Sequence, residues 1–182
     1  MGKFTEFKLM LKSLPMGKHQ FEYHLSRQFF INMENDIVRD ADINVQLDVE
    51  HRAEGYTFEF HLQGTLTVMC DRCLDDLVLD IDTDYALNVR YGEAYNDESD
   101  TLLVIPQSEN YLNVAYLIYD TAVLAIPPRH VHPQGQCNRA MSALNKKYTT
   151  NADDDEDREL TEELLSDLDE LESRALNDSD ED

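Results

Sequence analysis

Residues 43–50 read Ile-Asn-Val-Gln-Leu-Asp-Val-Glu. Apolar and polar side chains alternate at every step, the period of a strand with one face on a core. After the turn signal Ala53-Glu54-Gly55, the same alternation resumes in Tyr56-Thr57-Phe58-Glu59-Phe60-His61-Leu62-Gln63. Gly64 permits a bulge at this point, and Leu66 and Val68 carry the pattern on to Cys70. Leu77, Leu79 and Ile81 then alternate with Val78, Asp80 and Asp82, and the run extends to Tyr91. Long strands joined by short turns favour an antiparallel meander.

Upstream, Phe7, Leu9 and Leu11 alternate with Lys8, Met10 and Lys12 and read as a first strand. Pro15-Met16-Gly17-Lys18 is a turn signal, so a second alternation, Phe21, Tyr23 and Leu25, would close a hairpin. Ser26 stands where a helix cap belongs, before the short apolar stretch Phe29-Phe30-Ile31. Downstream, residues 92–100 read as a polar loop and Leu102 to Ile105 as a short strand ended by Pro106. Asn113 to Ile126 is the main helix, with Val114, Leu117, Ile118, Thr121, Ala122 and Ala125 at helical spacing and Pro127-Pro128 as its stop. The fold class expected is α+β: a mostly antiparallel β-sheet with one main helix packed on it, over residues 1–149. Residues 150–182 form an acidic C-terminal tail.

The chain has 182 residues and a formal net charge of -23. Residues 151–182 alone carry 16 acids against Arg158 and Arg174. Within this tail Leu160, Leu164, Leu168, Leu171 and Ala175 recur every three or four residues, one face of an amphipathic helix. A chain this acidic is repelled by phosphate backbones and anionic membranes unless a local basic patch intervenes. Lys3, Lys8, Lys12 and Lys18, with Arg129, Arg139, Lys146 and Lys147, are the only basic clusters of note. No apolar run approaches the ~20 residues of a spanning helix, and Met1 to Glu6 has no secretory signature. Three cysteines are no disulfide framework, so a reducing cytoplasm is the expected compartment.

One constellation carries chemistry. Cys70-Asp71-Arg72-Cys73 places two thiols on one turn, and His130-Val131-His132-Pro133-Gln134-Gly135-Gln136-Cys137 follows about 60 residues later. Two thiolates from the turn, Cys137 and one of His130 or His132 would make the four-ligand set of a structural zinc site closed by the tertiary fold. The same residues also suit three buried thiols beside two turn histidines. A redox pair is a third reading, although a thioredoxin-like pair belongs at the head of a helix. No nucleophile elbow, phosphate loop or His-Glu-x-x-His motif occurs, so the expectation is a protein that is not an enzyme and takes no small-molecule substrate. Phe58 and Phe60 share a strand, as RNA-stacking aromatics would, but their alternation marks them as core.

The stretch Gly64-Thr65-Leu66-Thr67-Val68 running into Cys70-Asp71-Arg72-Cys73-Leu74, the helix ending Leu124-Ala125-Ile126-Pro127, and His130-Val131-His132 with Cys137 resemble the YceD family of large-subunit ribosomal RNA accumulation proteins. The segment Pro128 to Pro133 is similar to the form in Bacteroides-like members. The resemblance spans residues 3 to about 148 and leaves the tail out. It implies a non-enzymatic cytoplasmic factor in ribosome biogenesis that supports synthesis, processing or stability of 23S ribosomal RNA. Many members carry a second cysteine pair in the later segment, where this chain has Cys137 with His130 and His132 near it. Charge adds a partner class: an acidic protein suits a basic ribosomal protein, and the alternative is an RNA-contacting module with a structural zinc site, using the two basic clusters.

The acid run Asp153 to Asp157 cannot join a core. Truncation at Thr150 is therefore expected to leave the thermal midpoint nearly unchanged, and a large drop in calorimetry would place the Leu160 to Leu171 face in the core.

Overall fold

The computed structural model of the protein describes residues 4–133 and 135–141. The tail and its amphipathic face lie outside the described residues, as do Lys3, Lys146 and Lys147. The chain divides after Cys137, with Met1–Cys137 as one unit and Asn138 onward as a second; the fold described here is that of the first.

Three long strands make the frame: β3 (Val38–Arg52), β4 (Gly55–Met69) and β5 (Asp76–Gly92). Flanking them are β2 (Gly17–Ser26), β6 (Asn96–Ser99) and β7 (Leu102–Pro106), in the sheet order β2-β3-β4-β5-β7-β6. β1 (Lys8–Leu9) and β8 (Leu112–Asn113) form a separate two-stranded ribbon. The helices are α1 (Arg27–Asn32) and α2 (Ala115–Leu124). The meander β2-β3-β4-β5 is antiparallel throughout, whereas β7 joins β5 in parallel.

Alternation explains the core. Ile43, Val45, Leu47 and Val49 of β3 and Phe58, Phe60, Leu62 and Leu66 of β4 are all buried on one face. Each fully buried Leu or Phe contributes about 1.5–3 kcal/mol. Phe30 of α1, Ile118 and Ala122 of α2, and the N-terminal Phe7, Leu9 and Leu11 close over that face. The Tyr56 hydroxyl donates to the Leu11 carbonyl at 2.9 Å, pinning the N-terminal segment to β4. Phe58 and Phe60 are interior, so they are unavailable to stack on bases.

Several expectations are corrected. The segment around Phe7, Leu9 and Leu11 is not a full strand but two 3-10 turns, Thr5–Phe7 and Leu11–Ser13, flanking the two residues of β1. It makes no hairpin with β2, whose partner is β3; β1 pairs with β8 instead. The alternation there reports burial, which a turn can satisfy as well as a strand. The polar stretch 92–100 contains strand β6, held by backbone pairing to β7 that its acidic side chains do not advertise. Gly64 makes no bulge: it pairs in continuous register with Ile43 and Ile81. The irregularity lies between Val38 and Asp40 instead.

Gly64 is needed for closeness. A Cβ there would collide with the Asp42 carbonyl and stand 2.7 Å from the Ile43 Cα. Backbone atoms cannot yield as side-chain ends do. Gly64→Ala is expected to cost about 1–3 kcal/mol, read as a lowered urea midpoint with an unchanged slope.

Candidate metal centre

The candidate centre forms where β4 turns into β5. The turn closes because the Cys70 N–H donates to the Asp75 carbonyl and the Leu74 N–H to the Cys70 carbonyl, both at 2.9 Å. Leu74 sits in the left-handed region, with φ 64°, at a cost of roughly 1–2 kcal/mol for a residue with a Cβ. Both thiols of the turn are buried. The Arg72 N–H also points at the Cys70 sulfur, 3.4 Å away.

The second half of the site comes from the segment after α2. Asp71 and His130 clasp the two halves: the Asp71 N–H donates to the His130 carbonyl at 3.0 Å, and the His130 N–H to Asp71 Oδ2 at 2.8 Å. The His130 ring is occupied by the same clasp, with Nδ1 donating to the Pro127 carbonyl at 3.1 Å and Nε2 3.3 Å from Asp71 Oδ1. His130 therefore lies outside the cluster of ligand atoms and holds the segment that carries it.

His132 is the histidine that reaches the thiols. Its Nε2 lies 3.1 Å from the Asp76 carbonyl. A carbonyl only accepts, so Nε2 carries a proton, and in the neutral ring the Nδ1 lone pair faces the sulfurs. Nδ1 is 3.3 Å from the Cys73 sulfur. One ligand atom each from Cys70, Cys73, His132 and Cys137 lie within 4.8 Å of one another, and all three thiols are buried. Ligands at ~2.3 Å from a common ion in a tetrahedron stand about 3.8 Å apart. The donor set, its spacing and the oriented imidazole together fit a metal ion.

In the metal-free protein the electrostatics favour the ligand form at Cys70 and the protonated form at His132 and Cys137. Burial pushes the Cys70 thiol up, but hydrogen bonds from the His132, Cys73 and Arg72 backbone and from the Cys73 thiol outweigh it and bring the thiol down to about 6. The hydrogen bond to Cys70 holds His132 above its ordinary value, against the opposing effect of burial. Burial, then the Cys73 and Cys70 sulfurs, raise Cys137. Of the five residues singled out in the sequence, four converge and His130 supports them. Asp71 was missed as a functional residue; its only signal is its place inside the Cys-x-x-Cys turn.

No curated protein matches the chain, nor does any solved structure. Residues 58–172 match the family described as Large ribosomal RNA subunit accumulation protein YceD. The match begins within β4 and runs past residue 148, so it takes in part of the tail that the sequence resemblance had left out.

A pH signature follows in metal-free protein. Cys70 titrates below its ordinary value of 9.0, so its contribution to stability is complete above that value and is lost as pH falls through about 6. His132 is raised above 6.5, so its contribution is complete below 6.5 and is lost as pH rises through the raised value. The pair therefore stabilises most between those limits. Denaturation of apo-protein across that range is expected to show the maximum, and Cys70→Ser to abolish it.

Proposed function

Because this chain belongs to the large ribosomal RNA subunit accumulation protein family YceD, we propose that it is a non-enzymatic, cytoplasmic ribosome-biogenesis factor. It supports synthesis, processing or stability of 23S ribosomal RNA and acts through a basic ribosomal protein. The observation that carries this reading is the family match over 115 of the 182 residues. The partner class is supported by charge. A net -23 opposes the phosphate neutralisation on which affinity for RNA rests, and favours steered encounter with a basic protein. No helix among the described residues is long and apolar enough to cross a membrane.

The cluster enters this reading as a structural zinc site with Cys70, Cys73, His132 and Cys137 as ligands. Four protein ligands leave no open position for water or substrate, which supports a folding role over catalysis. Zinc would tie the β4–β5 turn to the segment after α2. His132 would bind through Nδ1 while its Nε2–H stays on the Asp76 carbonyl.

The alternative, direct RNA contact, rests on the two basic clusters. Of these, Lys12 donates to the Gln107 carbonyl and Lys8 lies over the Tyr111 ring at 4.7 Å, so both are already engaged within the chain.

Two measurements test the proposal. Pull-down from lysate at low and high salt is expected to retain a basic ribosomal protein, with its capture reduced at high salt; ribosomal RNA retained without protein would establish the alternative. Elemental analysis of protein purified without chelator is expected to give close to one zinc per chain, retained in His130→Ala and lost in Cys137→Ser and His132→Ala. A zinc content near zero in the wild-type chain would sink the zinc assignment.

A further inference from the structure

The β5 strand has an open edge. It pairs with β4 along Asp76 to Val89, but β7 covers its other edge only from Asn88 to Gly92. Among the described residues no strand pairs with that edge between Leu77 and Leu87. The free length is about 35 Å at strand rise.

Two hydrogen bonds fix which residues present their backbone there. The Asn88 N–H donates outward, to the Thr101 carbonyl at 2.9 Å. At the far end, the Asp76 carbonyl accepts outward, from His132 Nε2. Backbone groups of an antiparallel strand alternate edges with period two, and β5 carries no register shift against β4. Val78, Asp80, Asp82, Asp84 and Ala86 therefore direct both N–H and C=O at the open edge. One end of the gap is closed by a backbone carbonyl and the other by a histidine side chain, and among the described residues no strand covers the middle.

The two faces beside the edge differ. On the core side a groove of about 490 Å³ runs between β5 and α2, walled by Thr83, Tyr85, Leu117, Thr121, Leu124 and Ala125, and the carboxylates of Asp84, Asp100 and Asp120 also line it. Leu124 is 83% exposed, an apolar wall without cover in the described residues. Burial raises the Asp120 carboxyl above its ordinary value, and no lysine or arginine lines the groove. On the opposite face Asp80, Asp82 and Asp84 stand in a row, all exposed, with His61 Nδ1 2.6 Å from Asp84 Oδ1 and its Nε2 4.0 Å from Asp82 Oδ1. A strand added here would turn alternate side chains into the Leu117–Leu124 groove and the others beside the three aspartates.

We propose that the open edge of β5 between Val78 and Ala86 is the docking site for an extended segment of the basic partner, added as a further strand with apolar residues facing α2 and lysine or arginine facing Asp80, Asp82 and Asp84. The inference rests on the basic-partner reading and gives that partner a place. Charge complementarity selects the occupant. A second copy of β5 would set aspartates against aspartates, and like charges opposite one another destabilise a sheet. The acid run Asp153 to Asp157 of this chain meets the same repulsion. Main-chain bonds supply affinity, and the alternating side chains supply selectivity.

The test uses the full chain and a blocked peptide of about eight residues alternating valine and lysine. Amide exchange followed by NMR is expected to slow at Val78, Asp80, Asp82, Asp84 and Ala86 on adding peptide. Leu79, Ile81, Thr83 and Tyr85, whose N–H groups face β4, are already protected and should not change. Asp82→Lys with Asp84→Lys should weaken binding at least about tenfold, and so should Leu124→Ser in smaller measure. Both alter exposed side chains. A peptide of the same composition with its valines and lysines in separate blocks should bind more weakly. Equal binding of the block peptide, unchanged exchange at the five amides, or unchanged affinity in the Asp82/Asp84 variant would each overturn the edge site. The outcomes separate from those of the partner reading. A chain that retains a ribosomal protein while these amides stay unprotected sinks the edge and leaves that reading standing. Protection by the peptide without capture of any ribosomal protein supports the edge and sinks the partner.

Discussion

Both edges of β4 are occupied along nearly its whole length, by β3 on one side and β5 on the other. That double pairing is the constraint on which the site depends. It fixes the direction in which β4 ends, and hence where Cys70 emerges. It also fixes where β5 begins, and hence where the Asp76 carbonyl waits for His132. The thiols and the imidazole meet because two strands in strict register deliver a turn, a kinked Leu74 orients it, and the Asp71–His130 clasp brings the later segment alongside. Loosening the register by one residue would exchange the faces of β5 and turn Asp80, Asp82 and Asp84 into the core.

The frame was legible in the sequence because β3, β4 and β5 bury one face only, and one-sided burial writes itself as alternation. Features that rest on backbone pairing or on contacts distant in sequence left no such trace. β6 is built of Asn96 to Ser99, whose polar side chains signal a loop, and it exists because β7 offers an edge. The parallel joining of β5 and β7 was hidden for the same reason, since short connections suggested only antiparallel neighbours. The N-terminal apolar residues reported their burial correctly and their conformation incorrectly.

The cluster itself was half legible. Cys-x-x-Cys and a later Cys named three members. The choice between His130 and His132 could not be read, because both stand in the same proline-flanked segment and differ only in tertiary surroundings. Asp71 decides it by engaging the main chain and ring of one histidine, which leaves the other to face the sulfurs. An acid between two cysteines looks like ordinary solvated turn chemistry until its partner 59 residues away is known.

That separation also bears on how the chain is made. Cys73 and His132 are 59 residues apart, and the loop between them contains β5, β6, β7, β8 and α2. A metal ion held at both ends of a loop of this length would lower the entropy of the unfolded chain by an equivalent of about 4 kcal/mol. The gain arrives late in synthesis, since Cys137 must leave the ribosome before the fourth ligand exists. Until then, the β4–β5 turn holds two thiols with no counterpart, and β5 has no His132 at its first carbonyl. With a metal ion held by these four residues, the cluster would act as a latch that sets only once Cys137 has been made.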